Sequence, residues 1–594
     1  MSFKQEPDSS SRPNNKRGGN QGNIDQEEFM YVREIQKNMR NNEDDEAQTM
    51  MADNFLESTA GKEMEFSCHP VASKAIEGLV SHSSPETFEA FTSALMPNLR
   101  LLVNESSASF ALESCLKTAA LRALTVKQEE REEKPSANKK RKFTKVSSGV
   151  DFNLKQDIKP AHKIYCQQVV EKLSRFLLNN LEDYLYENNA NHLLRSCLYC
   201  LAGILSQKNH FHKVELINIK SQHGIPVPEE WNEILGDFAT RLMSWPQFPD
   251  LAFSESSSVV LQVLCETLKN VEEQHGNLKK LIKVIMKKSF KDDDAAEIAE
   301  ESKPKEAEEF KAFSTQGSTH LLETMMASCD EKLMNKIYKK YFKEKLVELS
   351  KSPNLNYSVQ RLIDAMADKE TFEEIFNALV PEFTNLCQIG YTGVVLAVCK
   401  ACERLGVKQG QFIQSLLKSL ECAAEKTSKC IIPVITLTPL TIVEEKEDAK
   451  ITLHGSLILQ KIFQFNKPIK IVQSLLDMKP QDIADIFCDD KGSRIADAYL
   501  ESKFIGEKSR EKLIKHLEGM YMTMAVSKSG SHVLEKFYKL SSDGQKEAIV
   551  MELSERLNQL NGCVSGRILN YKFSVETYSR NPNQWKNFLA RNSH

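Results

Sequence analysis

Histidine, aromatic and basic side chains recur at one place in a short pattern that repeats along this 594-residue chain. The pattern is a small residue, two variable residues, two apolar residues and a usually polar residue, as in Gly530-Ser-His-Val-Leu-Glu535. In eight of eleven copies the third residue is aromatic, imidazole or cationic, the groups that stack on nucleic-acid bases or meet phosphates. A row that was only solvated helix surface would carry Glu, Ser, Ala or Gln more often. The third positions are Lys74, Phe110, His192, Val259, His320, Tyr357, Val394, Leu457, Arg494, His532 and Arg567.

The spacing of the copies indicates which elements must carry these side chains. Their sixth residues stand at 77, 113, 195, 262, 323, 360, 397, 460, 497, 535 and 570, and six of the ten intervals are 35 to 38 residues. The other four intervals are one such period plus an insertion. Between copies the sequence is amphipathic: Ser84 is a predicted N-cap before Pro85, and Phe88, Phe91 and Leu95 follow on one face. Each period therefore predicts two long helices and a shorter one, which bury their apolar faces by stacking on neighbours.

These features predict an all-α fold, a curved (U- or C-shaped) α-solenoid of about eleven repeats over residues 55–590. Residues 1–54 are polar and predicted to be mostly disordered, with helical potential at 29–39. Four inserted loops are predicted near 126–158, 206–230, 291–309 and 422–450, projecting from the stack. The first loop holds a compact basic run that is a candidate nuclear-import signal or else a solvated charge cluster: Lys139, Lys140, Arg141 and Lys142.

Composition narrows the classes of function. Lys and Arg number 78 against 82 Asp and Glu, so any nucleic-acid role must rest on local charge and specific side chains. The start of the sequence has no secretory signal pattern, and no run of about 18 apolar residues occurs, which predicts a soluble intracellular protein without a membrane partner. Gly-rich phosphate loops, His-Glu-x-x-His and Gly-x-Ser-x-Gly are absent from the sequence. We therefore expect no enzyme, no cofactor and no small-molecule substrate.

Cysteines raise the question of a metal site. Fourteen are scattered along the chain, as is usual for reduced core thiols. Cys197 and Cys200, and Cys399 and Cys402, have metal-like spacing, but both pairs fall in apolar helical patterns far apart in sequence. We predict buried structural thiols and no metal.

The six-residue pattern resembles the second helix of a Pumilio repeat, a family that stacks helical repeats of about this length and holds single-stranded RNA on the concave face. The chain is more closely similar to the nucleolar Pumilio-like protein nine family. About eleven repeats, interrupted early and middle repeats, and a degenerate end with Gly566, Tyr578 and Trp585 carry that likeness. The resemblance implies a nuclear and nucleolar protein that binds precursor ribosomal RNA in small-subunit biogenesis. It also implies pre-ribosomal protein partners, including the endonuclease that processes the small-subunit RNA.

In that family the second and sixth residues touch the base edge and the third stacks between bases. Carried over, the resemblance implies guanine at Ser531/Glu535, Ser73/Glu77 and Ser109/Glu113, because a carboxylate accepts from the guanine N–H groups. It implies adenine at Ser258/Gln262 and Ser456/Gln460, and uracil at Asn356/Gln360. The resemblance also implies further RNA-binding candidates, of which the arginines would contact the RNA backbone: Asn191, Arg195, Thr319, Glu323, Ser493 and Arg567.

Two other interpretations remain open at this point. An armadillo-type protein-binding adaptor also uses helical repeats of about forty residues. The other nucleolar Pumilio-like family, linked to large-subunit assembly, has similarly degenerate repeats. The Ser/Glu, Ser/Gln and Asn/Gln pairs favour RNA, since a peptide-binding solenoid does not need them.

Overall fold

A computed structural model describes residues 24–39, 44–125, 158–208, 214–219, 226–291, 310–422, 429–445 and 450–592. These residues are predominantly helical and form two compact units, unit 1 up to Cys329 and unit 2 from Asp330. Within each unit, successive helices pack side by side along the chain. The predicted all-α repeat architecture is confirmed.

The α-helices of unit 1 are Gln26–Met39, Asp45–Ser58, Glu63–Cys68, Ala72–Leu79, Pro85–Leu95, Leu99–Asn104, Ser106–Ala123, Pro160–Asn179, Leu181–Tyr184, Asn188–Leu201, Glu229–Ser244, Glu255–Asn270, His275–Val284 and Gln316–Ser328. Two strands, β1 (Ile204–Lys208) and β2 (Val214–Asn218), pair antiparallel with Ile204 opposite Asn218.

The α-helices of unit 2 are Glu331–Ile337, Leu346–Ser350, Asn356–Ala365, Lys369–Leu379, Phe383–Gln388, Thr392–Leu405, Gln409–Ser419, Ile431–Thr436, Leu440–Glu445, Leu453–Ile462, Ile469–Leu476, Pro480–Cys488, Ser493–Glu501, Glu507–His516, Tyr521–Val526, Lys528–Leu540, Asp543–Ser554, Leu557–Asn561, Val564–Phe573, Val575–Arg580 and Pro582–Asn592.

One repeat shows the anatomy of the stack. A leading helix, Glu507–His516, is followed by a short helix, Tyr521–Val526, and then by Lys528–Leu540, which carries the six-residue pattern. We call the pattern-bearing helix of each repeat its motif helix. Consecutive motif helices pack against each other within each unit, so their patterned faces lie side by side. The predicted cap is also present, since the Ser84 hydroxyl accepts a hydrogen bond of 3.3 Å from the Thr87 N–H.

The N-terminal boundary differs from the prediction. Helix Gln26–Met39 and most of helix Asp45–Ser58 lie within residues 1–54, which were expected to be mostly disordered, and Val32, Ile35 and Ala52 are buried. The Gln26–Met39 helix packs on Ala72–Leu79. A few apolar residues at helical spacing are enough to dock an otherwise polar segment on a repeat whose apolar face is open.

The predicted insertions have different outcomes. The one near 206–230 contains the β hairpin, and the helix Glu229–Ser244 begins before the predicted loop ends. The one near 422–450 was wrongly predicted to project: helices Ile431–Thr436 and Leu440–Glu445 bury Ile431, Val434 and Leu440, and the first packs on the motif helix Leu453–Ile462. The apolar residues of this insertion belong to the core of unit 2. Residues 126–157 and 292–309, with Lys139, Lys140, Arg141 and Lys142, lie outside the described residues.

Candidate nucleic-acid interface

Most third positions of the pattern lie on the exposed side of their motif helices. On Lys528–Leu540 the fourth, fifth and eighth positions (Val533, Leu534 and Phe537) are buried, which turns His532 to the surface. Tyr357 is 63% exposed and Phe110 43%, high values for large aromatic side chains. The exposed residues are Lys74, Phe110, His320, Tyr357, Arg494, His532 and Arg567; His192, Val259 and Leu457 are half-buried, and Val394 is buried. Within each unit, aromatic, imidazole and cationic groups therefore recur on the exposed side of the motif helices, and we call these exposed third-position residues the motif row.

Second-position side chains lie beneath this row, and several bond to backbone carbonyls in the first turn of their own motif helix or just before it. The Ser531 hydroxyl donates to the Lys528 carbonyl at 2.8 Å, and Ser109 donates to the Ser106 carbonyl at 2.9 Å. Asn356 donates from Nδ2 to the Ser352 and Pro353 carbonyls, both at 2.8 Å. Backbone carbonyls thus engage these donors, while the side-chain oxygens keep acceptor capacity. The Ser456 hydroxyl differs, since it donates to the Lys491 carbonyl of the next repeat at 2.7 Å. Ser73, Ser109, Asn191, Ser258, Thr319, Asn356, Ser456 and Ser531 are buried, and Ser493 is half-buried.

Two sixth-position amides are bonded to the second residue of the same repeat. Gln460 Nε2 donates to Ser456 Oγ at 2.9 Å, and Gln360 Nε2 donates to Asn356 Oδ1 at 3.0 Å. The four-residue spacing places these side chains one helical turn apart on the same face. The Ser456/Gln460 pair thus joins a hydroxyl and an amide beside the motif row, and the Asn356/Gln360 pair joins two amides. Of the other sixth positions, Glu77 is exposed, whereas Arg195, Gln262 and Glu323 are half-buried.

Glu113 is held inside unit 1. Its carboxylate accepts from Ser196 Oγ at 2.6 Å and pairs with Lys117 Nζ at 2.7 Å and His192 Nε2 at 2.8 Å. Burial alone would raise the pKa of Glu113, but the partners His192 and Lys117 outweigh it and hold the pKa at about 2. His192 in turn lies against Phe110, with ring centroids 5.5 Å apart. This network orients two third-position rings and occupies the carboxylate expected to meet guanine.

Two other sixth-position acids pair with a lysine of the next motif helix. Asp497 lies 2.8 Å from Lys536 Nζ, and Glu535 lies 2.5 Å from Lys572 Nζ. Hydrogen bonding from Lys572 and then Lys539 lowers the pKa of Glu535, which keeps it ionised. The sequence analysis missed these two lysines. Each is the residue directly after a sixth position: Lys536 follows Glu535, and Lys572 follows Tyr571 in the register of the final repeat described next.

That register is one residue later than predicted. The Gly566 N–H donates to the Cys563 side chain at 3.2 Å, as the Gly530 N–H does to Ser527 and the Gly492 N–H to Asp489 at 2.9 Å. A Cβ at each of these glycines would lie within 3 Å of a carbonyl oxygen of the preceding helix. Gly566 is therefore the first position, not Ser565.

The shift changes the row at the final repeat. Arg567 becomes a second-position residue, Ile568 the third and Tyr571 the sixth. Ile568 is 48% exposed and Tyr571 is 87% exposed. A helix-capping residue three positions before the first pattern residue is the sequence signal that gives this register. In the final repeat the capping residue is Cys563, which sequence analysis does not recognise as a cap because cysteine is unusual there.

The cysteine pairs are buried, as predicted. Cys197, Cys200, Cys399 and Cys402 are at most 1% exposed, and burial raises the pKa of both Cys197 and Cys402 to about 12. Among the described residues no group of three or more His, Cys, Asp or Glu side chains is arranged to hold a metal ion. Nor does any helix in the described ranges have the length and apolar character needed to cross a membrane.

Stacked three-helix repeats with this six-residue pattern define a Pumilio-type, or PUF, repeat protein. The family described as "NOP9-like PUF repeat domain" matches residues 61–568, and the chain belongs to it. Membership favours this family over the armadillo-type adaptor and the large-subunit Pumilio-like family.

Relatives named Nucleolar protein 9 and Pumilio homolog 23 align with the chain. Nucleolar protein 9 of Mus musculus is 27% identical over 46% of this chain and 46% of its own length, so the alignment spans about half of that relative. Pumilio homolog 23 of Arabidopsis thaliana is 23% identical over 95% of this chain and 73% of its own length. Nucleolar protein 9 of Arthroderma benhamiae is 24% identical, with coverage of 95% and 80%.

Solved structures show the same fold. The structure of APUM23–GGAAUUGACGG has a TM-score of 0.69 and 22% identity, and it covers 95% of this chain and 99% of its own. An APUM23 structure with an insert region deleted reaches a TM-score of 0.70, with coverage of 96% and 100%.

Proposed function

We propose that this chain is a nucleolar RNA-binding protein that acts in precursor ribosomal RNA processing and small-subunit biogenesis. The names of its relatives support the nucleolus, and the uracils in the sequence held by the APUM23 structures support RNA as the ligand. Pre-ribosomal proteins, and the endonuclease that processes small-subunit RNA, are its proposed protein partners. The activity is binding, without a catalytic step.

The exposed motif row carries this proposal. Tyr357, Phe110 and His532 present ring faces on motif helices, where an unpaired base can stack on them. The row also exposes Lys74, Arg494 and His320, whose cationic or imidazole groups suit phosphates and bases. A protein-binding groove would not need aromatic, imidazole and cationic groups to recur at this position of the pattern.

Base preference is proposed repeat by repeat. Glu535, kept ionised by Lys572 and Lys539, accepts from guanine N–H groups, and Ser73/Glu77 gives a second guanine position. The joined pairs Ser456/Gln460 and Asn356/Gln360 offer both donors and acceptors, which suits adenine and uracil respectively; Ser258/Gln262 also suits adenine. Ser109/Glu113 is the exception, since Glu113 already has three partners.

The remaining candidates serve contacts that do not depend on base identity. Arg494 and Arg567 are exposed and meet phosphates, and the half-buried Arg195 reaches the backbone. Asn191, Thr319/Glu323 and Ser493 lie at the same positions of their repeats and line the RNA path beside His192, His320 and Arg494.

Crosslinking in cells followed by sequencing tests the RNA class, and filter binding tests the surface. Precursor small-subunit RNA should dominate the crosslinked reads. The double variant Tyr357→Ala/His532→Ala should bind single-stranded RNA more weakly than Met551→Ala, an exposed apolar substitution on the leading helix Asp543–Ser554. Equal affinity of both variants and the wild type would remove the motif row as the RNA site.

A further inference from the structure

Six lysines lie on one leading helix of unit 1 and its final turn. The helix His275–Val284 continues into a π-helical turn, Ile285–Ser289, and Lys279, Lys280, Lys283, Lys287, Lys288 and Lys291 are all exposed. From residue 275 to residue 291 the sequence contains no Asp or Glu. In a chain with a formal net charge of −4, this is a local concentration of positive charge.

Three of these lysines form a stripe along the helix. Lys280, Lys283 and Lys287 are spaced three and four residues apart, which places them on one face over about 10 Å of helix. Within the part of the chain that the structure describes, no hydrogen bond or ion pair engages these three side chains. We call them the lysine stripe.

The stripe is on a different surface from the motif row. Leu278, Leu281 and Ile282 are the buried residues of the same helix, which packs against Glu229–Ser244 and the motif helix Glu255–Asn270. The lysines project from the opposite side of this contact. A ligand on the stripe is therefore not the stretch of RNA that lies on the motif row.

Unbalanced charge of this kind weakens its own helix, because like charges three and four residues apart repel. Other lysines of the fold are matched with acids: Lys536 pairs with Asp497 and Glu501, and Lys351 pairs with Glu382. A polyanion bound along the stripe relieves that repulsion and releases counterions. A phosphodiester backbone supplies negative charges at regular intervals and needs no particular base.

We propose that Lys280, Lys283 and Lys287 form a second, sequence-independent binding surface for the phosphates of an RNA segment that flanks the stretch on the motif row. The proposal rests on the proposed RNA-binding function and adds a second contact region to it. On this proposal the motif row selects the bases, and the lysine stripe lets the protein bind a longer stretch of RNA.

Salt dependence of binding by the full chain tests the stripe. A short single-stranded RNA of about 11 nucleotides, one per repeat, is compared with the same RNA extended at both ends with uridines. The variant Lys280→Gln/Lys283→Gln/Lys287→Gln should lower the slope of log affinity against log salt by about 2 on the long RNA, since each single-strand phosphate contact contributes about 0.7. Between 50 and 200 mM salt, wild-type affinity for the long RNA should then fall roughly 15-fold further than that of the variant. The slope on the short RNA should not change.

A matched control carries the same change of charge elsewhere. Lys508, Lys512 and Lys515 are exposed on the leading helix Glu507–His516, interleaved with Glu507 and Glu511. Their replacement by Gln should leave both slopes as in the wild type. The thermal midpoint of neither variant should fall below that of the wild type, and that of the stripe variant should rise slightly because the repulsion between its lysines is removed.

Three outcomes contradict the proposed role of the lysine stripe. They are an unchanged salt slope on the long RNA, an equal decrease of the slope on both RNAs, or the same decrease of the slope in the control variant. The first is also expected if the acidic residues at 292–309, next in sequence, are what the stripe binds. Failure of the wild type to bind even the short RNA would instead overturn the proposed function.

Discussion

Glu113 and His192 are joined across consecutive motif helices, with 2.8 Å between Glu113 Oε2 and His192 Nε2. Lys117 and Ser196 complete the set of partners, so a sixth-position acid of the pattern has become part of the packing between repeats.

Acid should therefore destabilise the wild type through Glu113. Its pKa is about 2 in the folded chain and lies near the ordinary value of 4.5 when unfolded, so its contribution is present above pH 4.5 and lost as pH falls toward 2. The size of the shift corresponds to about 3 kcal/mol. Glu113→Gln should lower the free energy of unfolding in urea at pH 7, and the difference from wild type should shrink toward pH 2. Glu77→Gln, at the same position of the preceding repeat but exposed, should show little of this effect; equal losses in both variants would contradict the assignment.

Glu535→Ala should weaken RNA binding and relax the preference for guanine at one position. One base-edge contact contributes about 1–3 kcal/mol. Arg494→Ala is the contrasting variant: it should weaken binding to all sequences alike, because a phosphate contact carries no base information. Filter binding on a set of RNAs varied at one base measures both. If Glu535→Ala loses equally on every RNA, this repeat reads no base.

Tyr571→Ala should weaken binding to every RNA that reaches the last repeat. The tyrosine is at the sixth position of the corrected register and 87% exposed, so it offers a ring face where other repeats have an amide or acid. Loss of a stacking platform costs about 1–3 kcal/mol. Tyr571→Phe keeps the ring and should bind as the wild type does. A phenylalanine variant as weak as the alanine variant would show that the hydroxyl, not the ring, makes the contact.

Replacing Lys139, Lys140, Arg141 and Lys142 by Ala should disperse the protein from the nucleolus into the cytoplasm. A compact basic run is what transport receptors recognise. Fluorescence microscopy of a tagged chain measures the distribution, with Lys508→Gln/Lys512→Gln/Lys515→Gln as a control that also loses clustered lysines. Continued nucleolar concentration of the quadruple variant would place the main signal elsewhere.

Local signals allowed much of this fold to be predicted. The period of the pattern predicted the helix stack, Ser84 and Pro85 predicted a helix start, and Cys197 was assigned to the core from its apolar surroundings. The helix Ile431–Thr436 was missed, because it contains Pro433 and proline disfavours a helix locally. Burial of Ile431 and Val434 against another helix outweighs that local preference.

The site was less predictable because it depends on contacts between repeats. Lys117 is four residues from Glu113 and visible in sequence, but His192 is 79 residues away. Nothing local indicates that these two side chains meet. Periodicity placed the motif row, while the partner of each row residue depends on how neighbouring helices pack.

The first-position glycines restrict how this chain could be re-engineered. At Gly455, Gly492, Gly530 and Gly566 a methyl group would collide with a backbone carbonyl of the preceding helix. Earlier repeats carry Ala72, Ala108 and Ala190 at the same position. In the late repeats the start of the motif helix thus lies too close to the preceding helix for a side chain at the first position. The early and late repeats therefore cannot replace each other. A chimera that places an alanine-type repeat among the glycine-type repeats should push its motif helix away from the preceding helix at the junction. The distance between neighbouring motif-row side chains should then change.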